Sequence, residues 1–190
     1  MATRPAQILE AAIRVIAQDG VRGLRIEKLA AEAGVSTALI YYHFKDRSGV
    51  LRSTLEHVNA RAERYSQPVE APANAREELE QMLFLEIQDV PEVRENSIAW
   101  GELRASSVFD EELRELLGST TRDWNHDAET LISRAQDAGL VQREVVAADA
   151  AVRLTALVEG LSERWLSGSM SADRARELLA GAIRAELGPA

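Results

Sequence analysis

The chain has 190 residues, 46% of them apolar, which is enough for one large helical domain or two small ones and too apolar for a disordered chain. It holds no cysteine, so disulfides and thiolate metal sites are excluded, and no run approaches the roughly 18 apolar residues a membrane span requires. The net charge of −9 is unevenly spread: ten basic and seven acidic residues up to position 65 give +3, while twelve basic and twenty-four acidic residues beyond it give −12. A basic head on an acidic body can approach a polyanion while the body is repelled, although +3 over 65 residues decides nothing alone. The N-terminal stretch is amphipathic without a continuous apolar segment, unlike a secretory signal, so a soluble, cytoplasmic protein is expected.

Apolar residues recur at helical spacing almost throughout, which predicts an all-α chain of about nine helices. The first is predicted over Thr3–Asp19, with Ile8, Ala12, Val15 and Ile16 on one stripe and Gly20 as a left-handed cap. A short second helix, Ile26–Ala33, carries Ile26, Leu29, Ala30 and Ala33 at i, i+3, i+4 and i+7 and stops at Gly34. Ser36 is placed to cap a third, Thr37–His43, and Asp46 a fourth, Arg47–Tyr65, because their side-chain oxygens accept from otherwise unpaired first-turn amides. The stretch Ser66–Asn74 contains Pro68 and Pro72 and reads as a bend between a domain over 1–65 and another over 75–188. Five more helices follow, over Ala75–Val90, Glu92–Ser107, Glu111–Ala138, Ala148–Ser167 and Ala172–Leu187. Pro91 suits a first turn, Asp110 and Ser171 suit N-caps, and Gly139 and Gly188 suit C-caps.

The functional block is Arg25–Phe44, two short helices joined through Gly34-Val35-Ser36, with the length and turn chemistry of a helix-turn-helix. Val35, Ile40 and Phe44 are expected to point inward. Thr37, Ala38, Tyr41 and Tyr42 then face outward, small residues permitting close approach to a major groove and tyrosine hydroxyls reaching phosphates or base edges. His43, Lys45 and Arg47 form a polar, basic collar beside that face, and the start of the fourth helix offers amides to phosphate.

The segment AAEAGVSTALIYYHFKDRSGVL closely resembles the DNA-reading signature of the tetracycline-repressor (TetR) family, with similarity over about residues 6–60. The resemblance implies an N-terminal three-helix helix-turn-helix domain and a C-terminal helical domain that senses a small molecule and pairs two protomers. Carried over by position, it makes Ser36, Thr37, Tyr41 and Tyr42 DNA contacts, with His43 flanking and Arg47 on phosphate. It further implies a homodimer on a palindromic operator of double-stranded DNA, usually a repressor released by an effector, with no cofactor. Arg25 departs from the Ser or Thr of many relatives: it cannot cap the second helix, but its guanidinium can hold phosphate. Leu39 stands where relatives are often small or polar, and packing is its expected role.

In the C-terminal part, Trp100 and Trp124 belong either to core or to an effector pocket, with Leu83, Ile87, Leu103 and Leu131 as apolar neighbours and Arg104 one turn from Trp100. Trp165 is assigned to core. Leu154, Leu157, Val158, Leu161, Leu178, Leu179 and Ile183, with small residues among them, are expected to form a four-helix interface between two protomers. A C-terminal part that binds a protein partner instead of a small ligand stays open. An enzyme is disfavoured: the sequence has no Gly-rich phosphate loop and no His-Glu-x-x-His, and the scattered His43, His57 and His126 make no metal pair.

Overall fold

The computed structural model describes residues 3–65 and 71–189, so the Pro68 half of the expected bend lies outside the described residues. Among these there are nine helices and no strand: α1 Arg4–Gly23, α2 Ile26–Ala33, α3 Thr37–Phe44, α4 Arg47–Tyr65, α5 Ala75–Leu85, α6 Pro91–Ser107, α7 Glu111–Asp137, α8 Ala147–Leu166 and α9 Ala172–Leu187. Among the described residues no helix is long and apolar enough to cross a membrane.

Two boundaries differ from expectation by more than one residue. α1 breaks at Gly20, whose φ of +70° and ψ of 172° are outside any helical region, and one further turn follows to Gly23. α5 stops five residues before Val90. Its last carbonyls find side-chain donors: Gln88 Nε2 donates to Leu85 at 2.6 Å and Arg176 donates to Phe84 at 3.4 Å. A helix end satisfied in this way has no need to continue. Val90 also precedes Pro91, which disfavours helical backbone.

The chain packs as two compact units, one of residues 1–63 and 94–119, the other of 64–93 and 120–190. The division at 66–74 follows chain order, whereas packing places α6 and the start of α7 with the N-terminal helices. Ala99, Leu103, Leu113 and Leu117 share the core of Ile8, Ile16, Leu29, Ile40 and Leu55, and Asn96 Nδ2 donates to the Val58 carbonyl at 3.1 Å. The buried Arg61 binds Glu95 at 2.9 Å and Glu10 at 3.4 Å, fixing α4 to both α6 and α1. Eight residues make too short a helix to persist alone. α3 is therefore held by burying Ile40 and Phe44, each worth about 1.5–3 kcal/mol.

The second unit gathers Leu79, Leu83, Ile87, Ile132, Leu154, Leu161, Leu179 and Ile183 into its own core, with Trp165 4% exposed within it. Arg76, 4% exposed, donates to the carbonyls of Leu187 at 3.3 Å and Gly188 at 3.0 Å while its Nε donates to Glu80 at 2.6 Å. It thus serves the last orphan carbonyls of α9. Arg76→Leu is expected to destabilise this unit by about 2 kcal/mol, since the carbonyls lose their donor and Glu80 its cation. Faster amide exchange in the last turn of α9 is the measurement; unchanged exchange removes the role given to Arg76.

Candidate nucleic-acid interface

The turn from α2 into α3 closes as its residues dictate. Gly34 is left-handed at φ 63° and ψ 39°, the amide of Val35 donates back to Ala30 at 3.0 Å, and Ser36 Oγ accepts from the Leu39 amide at 3.3 Å. Val35 is half-buried against the core behind α3. The opposite side of α3 is open: Tyr42 is 81% and Tyr41 49% exposed, Ala38 is exposed, and Thr37, Leu39 and His43 are half-buried. The Tyr42 and His43 rings meet edge to face at 5.1 Å, which steadies Tyr42 without covering it. Among the described residues the hydroxyls of Thr37, Tyr41 and Tyr42, the Arg25 guanidinium and the Lys45 ammonium make no hydrogen bond or ion pair. A rigid helix thus presents unengaged donors on one face.

Arg25 stands at the N-cap of α2 without capping it, as a guanidinium must, and is exposed. Arg47 has a role that sequence did not show. Its Nε donates to the Leu24 carbonyl at 2.9 Å and its Nη2 to the Val21 carbonyl at 2.5 Å, bracketing the α1–α2 connection from α4. From α6, Glu102 accepts the Val21 amide at 3.0 Å, its carboxylate 2.7 Å from where a Gly20 Cβ would stand. Glu102 lies 81 residues from Val21, and the only local sign of the contact was a glycine at position 20. Asp46 caps α4 as expected, its Oδ1 accepting from Gly49 at 2.7 Å.

The seven expected effector residues fall into both cores. Trp100, Leu103 and Arg104 belong with the first unit, Arg104 lying 5.9 Å over the Trp100 ring, whereas Leu83, Ile87, Trp124 and Leu131 belong with the second. The expected pairing face is also largely filled from within. Leu154, Val158, Leu161, Leu179 and Ile183 are at most 3% exposed because α8 and α9 pack on each other and on the rest of their unit. Leu157 is half-buried and Leu178 is exposed. The face left open comprises Val152, Ala156, Leu157 and Gly160 on α8 and Leu178, Gly181, Ala182 and Ala185 on α9.

An exposed, stiffened α3 presented from a three-helix head defines a helix-turn-helix DNA-binding protein. Residues 8–54 match the model of the bacterial regulatory proteins of the tetR family, and residues 72–188 that of the BetI-type transcriptional repressor C-terminal domain. The chain therefore belongs to the TetR family of transcription regulators. A TetR-family regulator structure from Rhodococcus sp. superposes with a TM-score of 0.91 at 47% identity, over 98% of this chain and 100% of that one. A transcriptional regulator from Saccharomonospora viridis, solved in complex with choline, gives a TM-score of 0.85 at 29% identity over 96% of each chain. The HTH-type transcriptional regulator BetI of Paraburkholderia phytofirmans is 27% identical over 175 residues, 90% of this chain and 84% of that protein.

Proposed function

We propose that two copies of this DNA-binding regulator pair through α8 and α9, read a palindromic operator with their two α3 helices, and act as a repressor released by a small molecule. The observation that carries the reading is the open face of α3, whose tyrosine hydroxyls are unengaged while Ile40 and Phe44 anchor its back. Twofold pairing sets the two reading helices roughly 34–36 Å apart, one turn of DNA. Ser36, Thr37, Ala38, Tyr41, Tyr42, His43, Arg25 and Lys45 are the proposed contacts. Arg47 is proposed to act first by holding the α1–α2 connection, leaving any phosphate contact as a second role.

The open stripe on α8 and α9 supports pairing, because small residues such as Gly160 and Gly181 let helices approach closely. The effector reading draws support from the choline complex of the Saccharomonospora viridis protein and makes choline the first compound to try. An effector releases DNA only if it binds the DNA-incompetent arrangement more tightly. Fluorescence anisotropy with a duplex enriched from a random-sequence library, at stated salt, tests the reading. Tyr42→Ala is expected to weaken binding about tenfold with the thermal unfolding midpoint unchanged, as the exposed side chain contributes nothing to the core. An unaltered affinity removes α3 as the reading element.

A further inference from the structure

The eight residues of α3, Thr37-Ala38-Leu39-Ile40-Tyr41-Tyr42-His43-Phe44, include no Arg, Lys, Asn, Gln, Asp or Glu. Those side chains carry the strongest readings of base edges in a major groove: Arg or Lys on guanine, Asn or Gln on adenine, Asp or Glu on the cytosine amine. The hydroxyls of Thr37, Tyr41 and Tyr42 can bond to a phosphate or to several base edges, so they discriminate weakly. What α3 has in quantity is apolar surface. The one apolar group that a base pair shows in the major groove is the C5 methyl of thymine.

Ile40 and Phe44 fill the back of α3, which sets Ala38 and Tyr42, four residues apart, on the far side with Leu39 beside them. Leu39, expected to pack, is only half-buried and is not among the side chains seated on the core that takes Val35, Ile40 and Phe44. Its backbone is nevertheless fixed, because its amide donates to Ser36 Oγ at 3.3 Å and to the Ser36 carbonyl at 3.1 Å. It stands in the first turn of α3, and the N-terminal residues of a recognition helix are those that meet base edges. A branched apolar side chain on a fixed backbone loses little further freedom when it closes on a methyl group.

We infer that Leu39, flanked by Ala38 and the ring of Tyr42, reads thymine C5 methyls, so that the proposed operator half-site is selected by methyl positions more than by base-edge hydrogen bonds. The inference rests on the reading of α3 as the DNA-contacting element. Its test replaces thymine by deoxyuridine in the enriched duplex, one half-site position at a time and symmetrically in both halves. The replacement removes one methyl and leaves base pairing, charge and polar edges in place. Wild type, Leu39→Ala and Tyr42→Ala are each titrated by anisotropy over a series of salt concentrations and unfolded thermally.

Wild type is expected to lose about tenfold in affinity at one or two thymine positions, since each buried methyl is worth roughly fourfold and symmetry counts it twice. Thymines outside the half-sites should tolerate the replacement. Leu39→Ala should bind the thymine duplex about fivefold more weakly, with an unchanged salt slope, and should lose most of its response to uracil. Its unfolding midpoint should stay within about 2 °C of wild type. A half-site enriched without thymine, uracil tolerated at every half-site position, or an equal response outside the half-sites overturns the methyl reading. A uracil response as large in Leu39→Ala as in wild type overturns the role of Leu39, and a lowered midpoint with that response kept returns it to packing. If Tyr42→Ala leaves affinity unchanged, α3 is not the reading element; if Tyr42→Ala weakens binding while uracil does nothing, only this inference fails.

Discussion

Gly49→Ala is expected to destabilise the DNA-binding head by about 3 kcal/mol and to reduce DNA affinity more than tenfold. A methyl at this position stands 1.9 Å from the Phe44 carbonyl oxygen, and the obstacle is backbone, not a side chain that can swing away. Relief requires a shift of more than an ångström in either the end of α3 or the start of α4. Both ends are pinned: Phe44 and Val50 are buried, and the Gly49 amide is held by Asp46 Oδ1 at 2.7 Å. Any movement carries Tyr41 and Tyr42 with it, since they lie in the same final turn as Phe44. Differential scanning calorimetry and anisotropy check the two halves of the expectation. An alanine variant that melts within a degree of wild type and binds DNA equally well contradicts the geometry of this turn. Ser48→Ala, on a neighbouring half-buried residue, serves as the control that should change neither.

The helix-turn-helix was legible in the sequence because its determinants are local. Gly34 and Ser36 specify the turn within three residues, Asp110 and Ser171 cap α7 and α9, and Val35, Ile40 and Phe44 separate a buried back from an open front by spacing alone. What was not legible depends on partners distant in the chain. Nothing near Leu85 announces that Arg176, some ninety residues on, reaches the carbonyls at the end of α5. Nothing near Val21 announces Glu102. Arg47 illustrates the same limit in reverse: a basic residue beside the recognition helix reads as a phosphate contact, yet two of its donors are taken by carbonyls of its own head.

The apolar faces of α8 and α9 show why periodicity reveals that a side is buried but not against what. Spacing alone points Leu154, Val158, Leu161, Leu179 and Ile183 at a second protomer, and the chain itself already covers them. Intrachain packing has first claim on large side chains in an amphipathic pair, because it needs no second molecule to be ordered. The residues left over are mostly small, and small residues carry a weak hydrophobic signature.

That remainder yields the second large expected effect: under the proposed pairing through α8 and α9, Gly181→Arg is expected to leave a folded monomer and to weaken binding to the proposed operator by about 10²–10⁴. A Cβ at Gly181 meets no atom within 4 Å in the chain itself, and the same holds at Gly160. The fold therefore accepts the new side chain, and replacing a glycine within a helix raises local helix propensity by about 1 kcal/mol. If α8 and α9 of a second copy occupy the space, the arginine meets close-packed backbone. Twofold symmetry brings every substitution in twice, so two guanidinium groups approach the same small-residue stripe. DNA affinity falls because each head then binds its half-site alone, without the effective concentration its tethered partner provides. Sedimentation velocity reads the assembly, circular dichroism the fold, and anisotropy the binding. A variant that stays dimeric moves the pairing surface away from α9. Loss of DNA affinity with the dimer intact instead means that Gly181 acts on the reading heads by a route other than pairing.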